Sequence, residues 1–599
     1  MKNKVWGVGA VAAVCALGAA QSQAAEWNVS GFIREEVAVK TTNDYNGANQ
    51  AGIPTDGVPV TNTGLFAAAT PTLTRPAELK RDNDLNMLAT RFELNLDGKL
   101  SENFQAHFKL RGFADQVGSV EKAFKGQNLF MQEYGAAHSG GQLGIARKDW
   151  MLDLPVAYLD YNEGPLWLRF GNQQIAWGEA LFFRVSDVPN GLDLRRHLAF
   201  DVAGEEYSDK RVAAPAIRGS FRANENWEIE GFTQKAQPSI LPGENSPYNP
   251  IPAQFVIHQE EGYNEIKNKW NFGTRLRGKV GDVVVQGFAV RRVNPDGVYR
   301  WTTATGPGAV AGTPFQAGTG VGVYSAQEWF TSASLARLDG IGALDAALNG
   351  FPATAGLGAN VVANACGAPS SAVGAVVNSG ASASCVLDTF FTPNGGLGDL
   401  RGHLAREYFS ENVFGFGLNH VFEGQPDTLL DQLIARFEAS YTPKRRFTNT
   451  NLSSNYIEKG ESQFAFIFEK YHKFSDSFPA TYMVGQWLHK SASDLFGRAL
   501  EGMDNRPGEV PRGQNHGFNA IAFALQQPSP TLEWRFDLAV LTDLQGGWLL
   551  QPGTRWKPSK SVQLDFYANI LHSTNDDGKN FAQEFKNANE AFVRATLFF

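Results

Sequence analysis

The chain has 599 residues, of which 12% are aromatic and 19% charged, and it carries a formal net charge of −8. That negative balance argues against nucleic acid or another polyanion as a partner. No stretch reaches the roughly 18 consecutive apolar residues of a membrane-spanning helix, and no linker or composition shift divides the chain into the several domains its length would otherwise suggest.

The N-terminal "MKNKVWGVGAVAAVCALGAAQSQA" has the layout of a secretory signal. Lys2 and Lys4 form a charged start, an Ala/Val/Gly run follows to Ala20, and Ser22-Gln23-Ala24 supplies small residues at the cleavage site. Residues 1–24 are therefore expected to be a Sec-type signal peptide and 25–599 one exported unit. Removing the two lysines takes the charge from −8 to −10.

From there the dominant signal is alternation with period two. In "EWNVSGFIREEVAVK", Trp27, Val29, Ile33, Val37 and Val39 share one face, with Asn28, Ser30, Arg34 and Glu36 on the other. Phe92, Leu94 and Leu96 stand opposite Arg91, Glu93 and Asn95, and Phe104 to Leu110 alternate with Gln105, His107, Lys109 and Arg111. The pattern returns at Phe272–Lys279, Leu532–Val540 and Val562–Ile570. Strands are expected near 26–40, 87–97, 103–114, 150–161, 165–175, 212–222, 227–236, 269–279 and 283–293. The second half adds 407–420, 430–441, 462–471, 478–490, 514–525, 531–541, 547–557, 561–572 and 589–599.

A soluble sandwich also alternates, so the links between strands decide. Every second link is short, as at 97–103, 162–165, 223–226, 280–282, 526–530 and 558–560. Those between are mostly long, as at 41–86, 176–211, 235–268, 294–406 and 573–588. Short turns on one rim and long loops on the other are the habit of outer-membrane barrels. An extended chain crosses hydrocarbon only as a closed barrel, because each unpaired backbone group there costs several kcal/mol. The expectation is an all-β transmembrane antiparallel barrel of about 18 strands, within a range of 14–20, with short periplasmic turns and long extracellular or inward-folded loops.

A lumen of that width holds water or a plug. The 294–406 insert is the best plug or lid candidate, with "SAQEWFTSASLARLDG" carrying helical character; the alternative is a surface loop with one helix. Cys366 and Cys385 lie within it. In an exported chain the pair reads most simply as a disulfide, and no histidine sits at zinc spacing to favour a metal site.

The patterns G-x-S-x-G, H-E-x-x-H, P-loop and paired C-x-x-C are all absent, so no catalytic residue, cofactor or metal is expected. The inward faces carry charges of both signs, among them Arg275, Arg277, Arg436, Glu438, Arg535 and Asp537. Facing rows can focus a field across a pore, or their ion pairs can simply hold the wall. The densest candidate site runs from Leu166 to Phe200. If the strand continues past Phe170, then Trp167, Arg169, Gln173, Trp177 and Glu179 point into the lumen, and Asp193, Arg195 and Arg196 return into its mouth. Such groups are costly to bury unless paired with each other or with a ligand.

"FGNQQIAWGEA" followed by "DLRR" resembles the G-x-Q-x-x-x-W-G-E signature of a domain-of-unknown-function family of large outer-membrane barrel proteins in Gram-negative proteobacteria. Gly171, Gln173, Trp177, Gly178 and Glu179 match the motif, and Asp193, Arg195 and Arg196 match the run after it. The cysteine pair and the Gly/Ala-rich insert depart from the family pattern. Family members are often encoded beside RND-type (MmpL-like) inner-membrane transporters and a periplasmic lipid-carrier-like protein. The resemblance therefore implies the outer-membrane element of a system moving lipid-like or hydrophobic compounds. The inward charges equally fit a porin for small polar or anionic solutes, and a surface scaffold or an outer-membrane hydrolase are readings of other classes.

The last segment, "AFVRATLFF", puts Ala591, Val593, Ala595, Leu597 and Phe599 on one face and Phe592, Arg594 and Thr596 on the other. It is expected to close the barrel against the strand that begins near Trp27. With Leu597 and Phe599 it resembles the signal by which barrel-assembly machinery recognises its clients.

Overall fold

The computed structural model describes residues 26–599 apart from loop segments, chiefly 47–57, 76–82, 132–140, 196–209, 304–314, 318–358, 391–399, 502–516 and 575–579, and scattered single positions. The expected signal peptide, the "SAQEWFTSASLARLDG" segment expected to be helical, and Arg196 lie outside the described residues.

Eighteen antiparallel strands close into one barrel. They are β1 (Glu26–Lys40), β2 (Leu85–Lys99), β3 (Phe104–Asp115), β4 (Trp150–Glu163), β5 (Leu166–Gln173), β6 (Ala214–Arg222), β7 (Trp227–Lys235), β8 (Trp270–Val280) and β9 (Val283–Val293). The second half supplies β10 (Ser410–Val421), β11 (Ile434–Phe447), β12 (Ile457–His472), β13 (Thr481–Lys490), β14 (Phe518–Pro528), β15 (Trp534–Thr542), β16 (Gly547–Trp556), β17 (Val562–Ser573) and β18 (Glu590–Phe598). Each strand pairs with its neighbours in sequence, as short hairpin links dictate.

The closure is made by β18 against β1, in register from Phe32↔Phe598 to Lys40↔Glu590. Gly31 and Phe599 complete it by exchanging backbone hydrogen bonds at 3.0 and 3.1 Å. A Cβ on Gly31 would lie 2.2 Å from the Glu93 carbonyl and 2.7 Å from the Phe599 ring, so only glycine fits at this seam. No edge of the barrel is left unpaired, which is what hydrocarbon demands.

The alternation turns one side chain in two outward. Phe272, Leu276, Phe414, Phe416, Ile521, Phe523, Val593 and Leu597 are all exposed. A contiguous apolar belt on a closed barrel belongs against lipid. The links at 100–103, 164–165, 223–226, 281–282, 422–433, 473–480, 529–533 and 557–561 form the short rim, with 422–433 the longest of them. The other rim carries the long loops, with two exceptions at 448–456 and 543–546.

On that rim, Leu400–Glu407 pairs with Phe255–His258, Val298–Trp301 and Phe315–Ala317 in a small sheet of its own. Arg406 is fully buried beneath it, donating to the Ser239, Pro295 and Asp296 carbonyls. The insert is stapled further on by a Cys366–Cys385 disulfide. Much of the 294–406 insert, the plug or lid candidate, lies outside the described residues. Of its described residues, Pro295 and Asp296 at its root line the main cavity, while the lumen itself is crossed by residues 174–190.

Candidate functional site

The crossing begins where β5 ends. Gly171 has φ +131°, and a Cβ there would sit 2.3 Å from the Ala157 carbonyl. Gln173, fully buried, is the last residue paired to β6, through Ala214, and its Nε2 donates to the Ala216 carbonyl at 3.1 Å. The strand therefore stops at Gln173, close to the expected end at 175, and the conditional continuation to Glu179 is not made. Its successors leave the wall as a strap.

A strap inside a barrel has backbone groups that no sheet satisfies. Side chains of the opposite wall do this instead. The Glu438 carboxylate on β11 accepts from the backbone N–H groups of Glu179, Ala180 (3.0 Å) and Ser186 (3.0 Å). The Gln486 side chain on β13 accepts from the Phe182 N–H at 2.9 Å and donates to the Phe183 carbonyl at 3.1 Å. Asn190 bonds both backbone groups of Ile175, at 3.2 and 2.6 Å, and closes the base of the strap.

Trp177 is the hub of the near half. It is 1% exposed, its indole N–H donates to Glu230 of β7 at 2.7 Å, and its ring meets Phe232 and Phe288 at centroid distances of 5.1 and 5.7 Å. Glu230 also holds Arg275 of β8 at 2.5 Å and Arg218 of β6. Two guanidiniums and an indole thus share one buried carboxylate, which supplies the pairing that buried charges need. Glu179 reaches further, accepting from Asn419 at 2.7 Å and pairing with Arg436 at 2.8 Å and Arg277 at 3.6 Å.

Five of the residues expected at the site, Gln173, Trp177, Glu179, Arg275 and Arg277, therefore converge along the near half of the strap. Trp167 and Arg169 lie nearer the short rim. Arg169 pairs with Asp160 at 2.7 Å, covers the Tyr158 ring at 3.7 Å and stands 5.1 Å from the Trp167 ring. Asp193 and Arg195 form a separate buried lock. They pair at 2.6 Å, and Arg195 donates to the Phe130 carbonyl at 2.9 Å. They tie the strap's return to the β3–β4 loop and do not line an open mouth.

The far half meets a surface that the expected polar lumen did not include. Ala465, Ile467, Val484, Leu488, Ala520 and Ala522, inward residues of β12–β14, pack with Phe183 and Val185 of the strap. Ala539 and Leu541 of β15 extend this wall. Elsewhere the inward cations have carboxylate partners: Arg34–Glu36 at 3.4 Å, Lys109–Glu93 at 3.2 Å, Arg111–Asp153 at 2.6 Å and Arg535–Asp537 at 2.8 Å. Of the two readings of those charges, a wall held by its own pairs describes these positions better than rows of uncompensated field. Between strap and apolar wall lies a cavity of about 360 Å³.

Glu438 entered the sequence reading only as one inward charge, and Gln486 did not enter at all. Both serve a distant loop's backbone, and nothing in the local spacing reports that. The apolar wall did leave a sign, because "FNAIAFAL" in β14 lacks polar residues at its inward places after Phe518.

Among solved structures, the chain is similar to the outer membrane channel DcaP of Acinetobacter baumannii, with 9% identity, 97% of this chain and 99% of that one covered, and a TM-score of 0.35. It is similar also to OccAB1 of the same organism, at 6% identity, 96% of each chain and a TM-score of 0.40. A third is Wzi, a carbohydrate-binding outer-membrane β-barrel involved in capsule assembly in Escherichia coli, at 11% identity, 96% and 85% coverage and a TM-score of 0.35. Likeness of this degree says nothing about cargo. A comparison with curated proteins found no match. One family model covers residues 6–599, and by that match the chain belongs to the family described as "Protein of unknown function (DUF1302)".

Proposed function

We propose that this protein is an outer-membrane channel that passes hydrophobic or amphipathic compounds, with the strap as its selectivity element. The observation that carries the reading is the apolar inner wall of β12–β15, on which Phe183 and Val185 of the strap are packed, with the cavity beside them lined by Leu488, Leu541 and Leu549. In a water-filled porin the inner face is polar, whereas here the inward places of β12–β14 carry Ala465, Ile467, Val484, Leu488, Ala520 and Ala522. Such a wall has a use where apolar cargo slides along it. Along the near half of the strap the inward arginines Arg218, Arg275 and Arg436 are each engaged by a carboxylate, which favours a wall over an open anion path there.

The resemblance to families encoded beside RND transporters and periplasmic lipid carriers supports a place at the outer end of a trans-envelope route, with a soluble carrier meeting the short rim. In that role the protein performs no reaction; it selects and conducts. The test is uptake in cells lacking this chain against complemented cells, using radiolabelled decanesulfonate and methanesulfonate. Loss of the chain should lower entry of the ten-carbon anion several-fold and leave the one-carbon anion unchanged. Equal loss of both would favour the porin.

A further inference from the structure

The cavity between strap and wall is two-sided, and its second side is basic. Leu541 and Leu549 stand on the barrel wall, with Phe182 and Val185 on the strap. Around the same space lie Arg184, Lys210, Arg292, Arg445 and Lys490, against two lining carboxylates, Asp187 and Asp296.

Several of these cations have carboxylate partners just behind the lining. Glu411 holds Arg292 at 2.7 Å and Glu461 holds Arg445 at 2.5 Å, while Arg211 joins Asp187. Glu461 also lies beside Lys490, so the lining is a partly paired cluster in which five cations and two carboxylates face the cavity. Two of the cations retain donor capacity. Arg445, 6% exposed, has an Nε–H with no hydrogen-bond partner, although its Nη1 is committed to Glu461. Lys490, 7% exposed, gives one of three ammonium protons to the Asp494 carbonyl at 2.8 Å. Buried donors left open are costly unless a ligand takes them.

We propose that this cavity is a binding site for a single-chain amphipathic anion, its acyl chain along Leu541 and Leu549 and its acidic head between Lys490 and Arg445. The proposal rests on the transport reading and makes it specific, naming both cargo class and head-group ligands. A volume of about 360 Å³ is near the lower end for small-molecule pockets. It suits one chain of medium length and excludes a two-chain lipid held whole. Ala539, at the edge of the apolar side, is the place where a larger side chain would occupy the space.

The test is calorimetric titration of the full-length barrel in lipid nanodiscs with decanoate, propionate and decanol, using protein-free nanodiscs as the blank that cancels partitioning into lipid. Folding of each variant is checked by heat-modifiable electrophoretic mobility. Saturable decanoate binding is expected, with propionate and decanol at least about tenfold weaker. Lys490→Gln should weaken decanoate by about tenfold, the loss expected for one charged hydrogen bond, with a much smaller change for decanol. Ala539→Phe should abolish the saturable component. Equal affinity for decanol and decanoate, or binding that survives Ala539→Phe, overturns the site. Saturable, Ala539→Phe-sensitive binding in a protein that lacks uptake activity would keep the site and sink the transport reading; uptake without such binding would do the reverse.

Discussion

Glu438→Ala should release the strap. The carboxylate accepts three backbone N–H groups from the middle of the strap, at Glu179, Ala180 and Ser186, and it is 2% exposed. Hydrogen bonds to a charged group contribute about 1.5–3 kcal/mol each, so three set an upper figure of about 9 kcal/mol. Lumen water will take over part of this. A floor comes from the stranded donors, which cost about 1 kcal/mol each and about 3 kcal/mol together. That floor weakens docking of the strap by roughly 100-fold. Gln486 and Trp177 still hold its two flanks, so the strap should open in bursts and not detach. Hydrogen exchange of residues 179–186 should accelerate by that factor, and single-channel recordings should show a higher-conductance substate. Glu438→Gln keeps one acceptor oxygen and should fall between wild type and Glu438→Ala. Unchanged exchange together with unchanged conductance in Glu438→Ala would refute the view that this carboxylate pins the strap.

Trp177→Ala removes the hub of the near half; loss of a buried aromatic costs about 3–5 kcal/mol and should lower the thermal unfolding temperature of the barrel, read by circular dichroism. Deleting Phe599, or placing valine at Gly31, disturbs the seam between β1 and β18; both should leave export intact and reduce the folded, heat-modifiable form in the membrane. Cys366→Ser removes a cross-link spanning 19 residues, worth about 3 kcal/mol to its own loop; protease sensitivity should rise within the insert while the barrel's thermal transition stays where it was.

Strand number, closure and the two rims were legible because period-two alternation and loop parity are local properties. Arg34, Glu36 and Arg594 face inward, and Val593 and Leu597 outward, as the pattern of their own segments required. The site was legible in composition and not in geometry. Trp177 and Glu179 do enter the lumen, but from a strap, since the break at Gly171 and Gln173 depends on where β4 and β6 lie. The plug was sought in the long 294–406 insert because length draws attention, whereas the strap is anchored by residues some 250–300 positions away in sequence. Glu438 and Gln486 look like any other inward polar residue until the segment they hold is in place.

The central claim is that this barrel discriminates among anions by the length of their apolar chain. Single-channel recording with decanesulfonate and methanesulfonate added in turn to the same bilayer tests it most directly. A modest conductance interrupted by blockades with the ten-carbon anion alone, lost in Ala539→Phe, is the predicted result. A large steady conductance indifferent to both anions would contradict it.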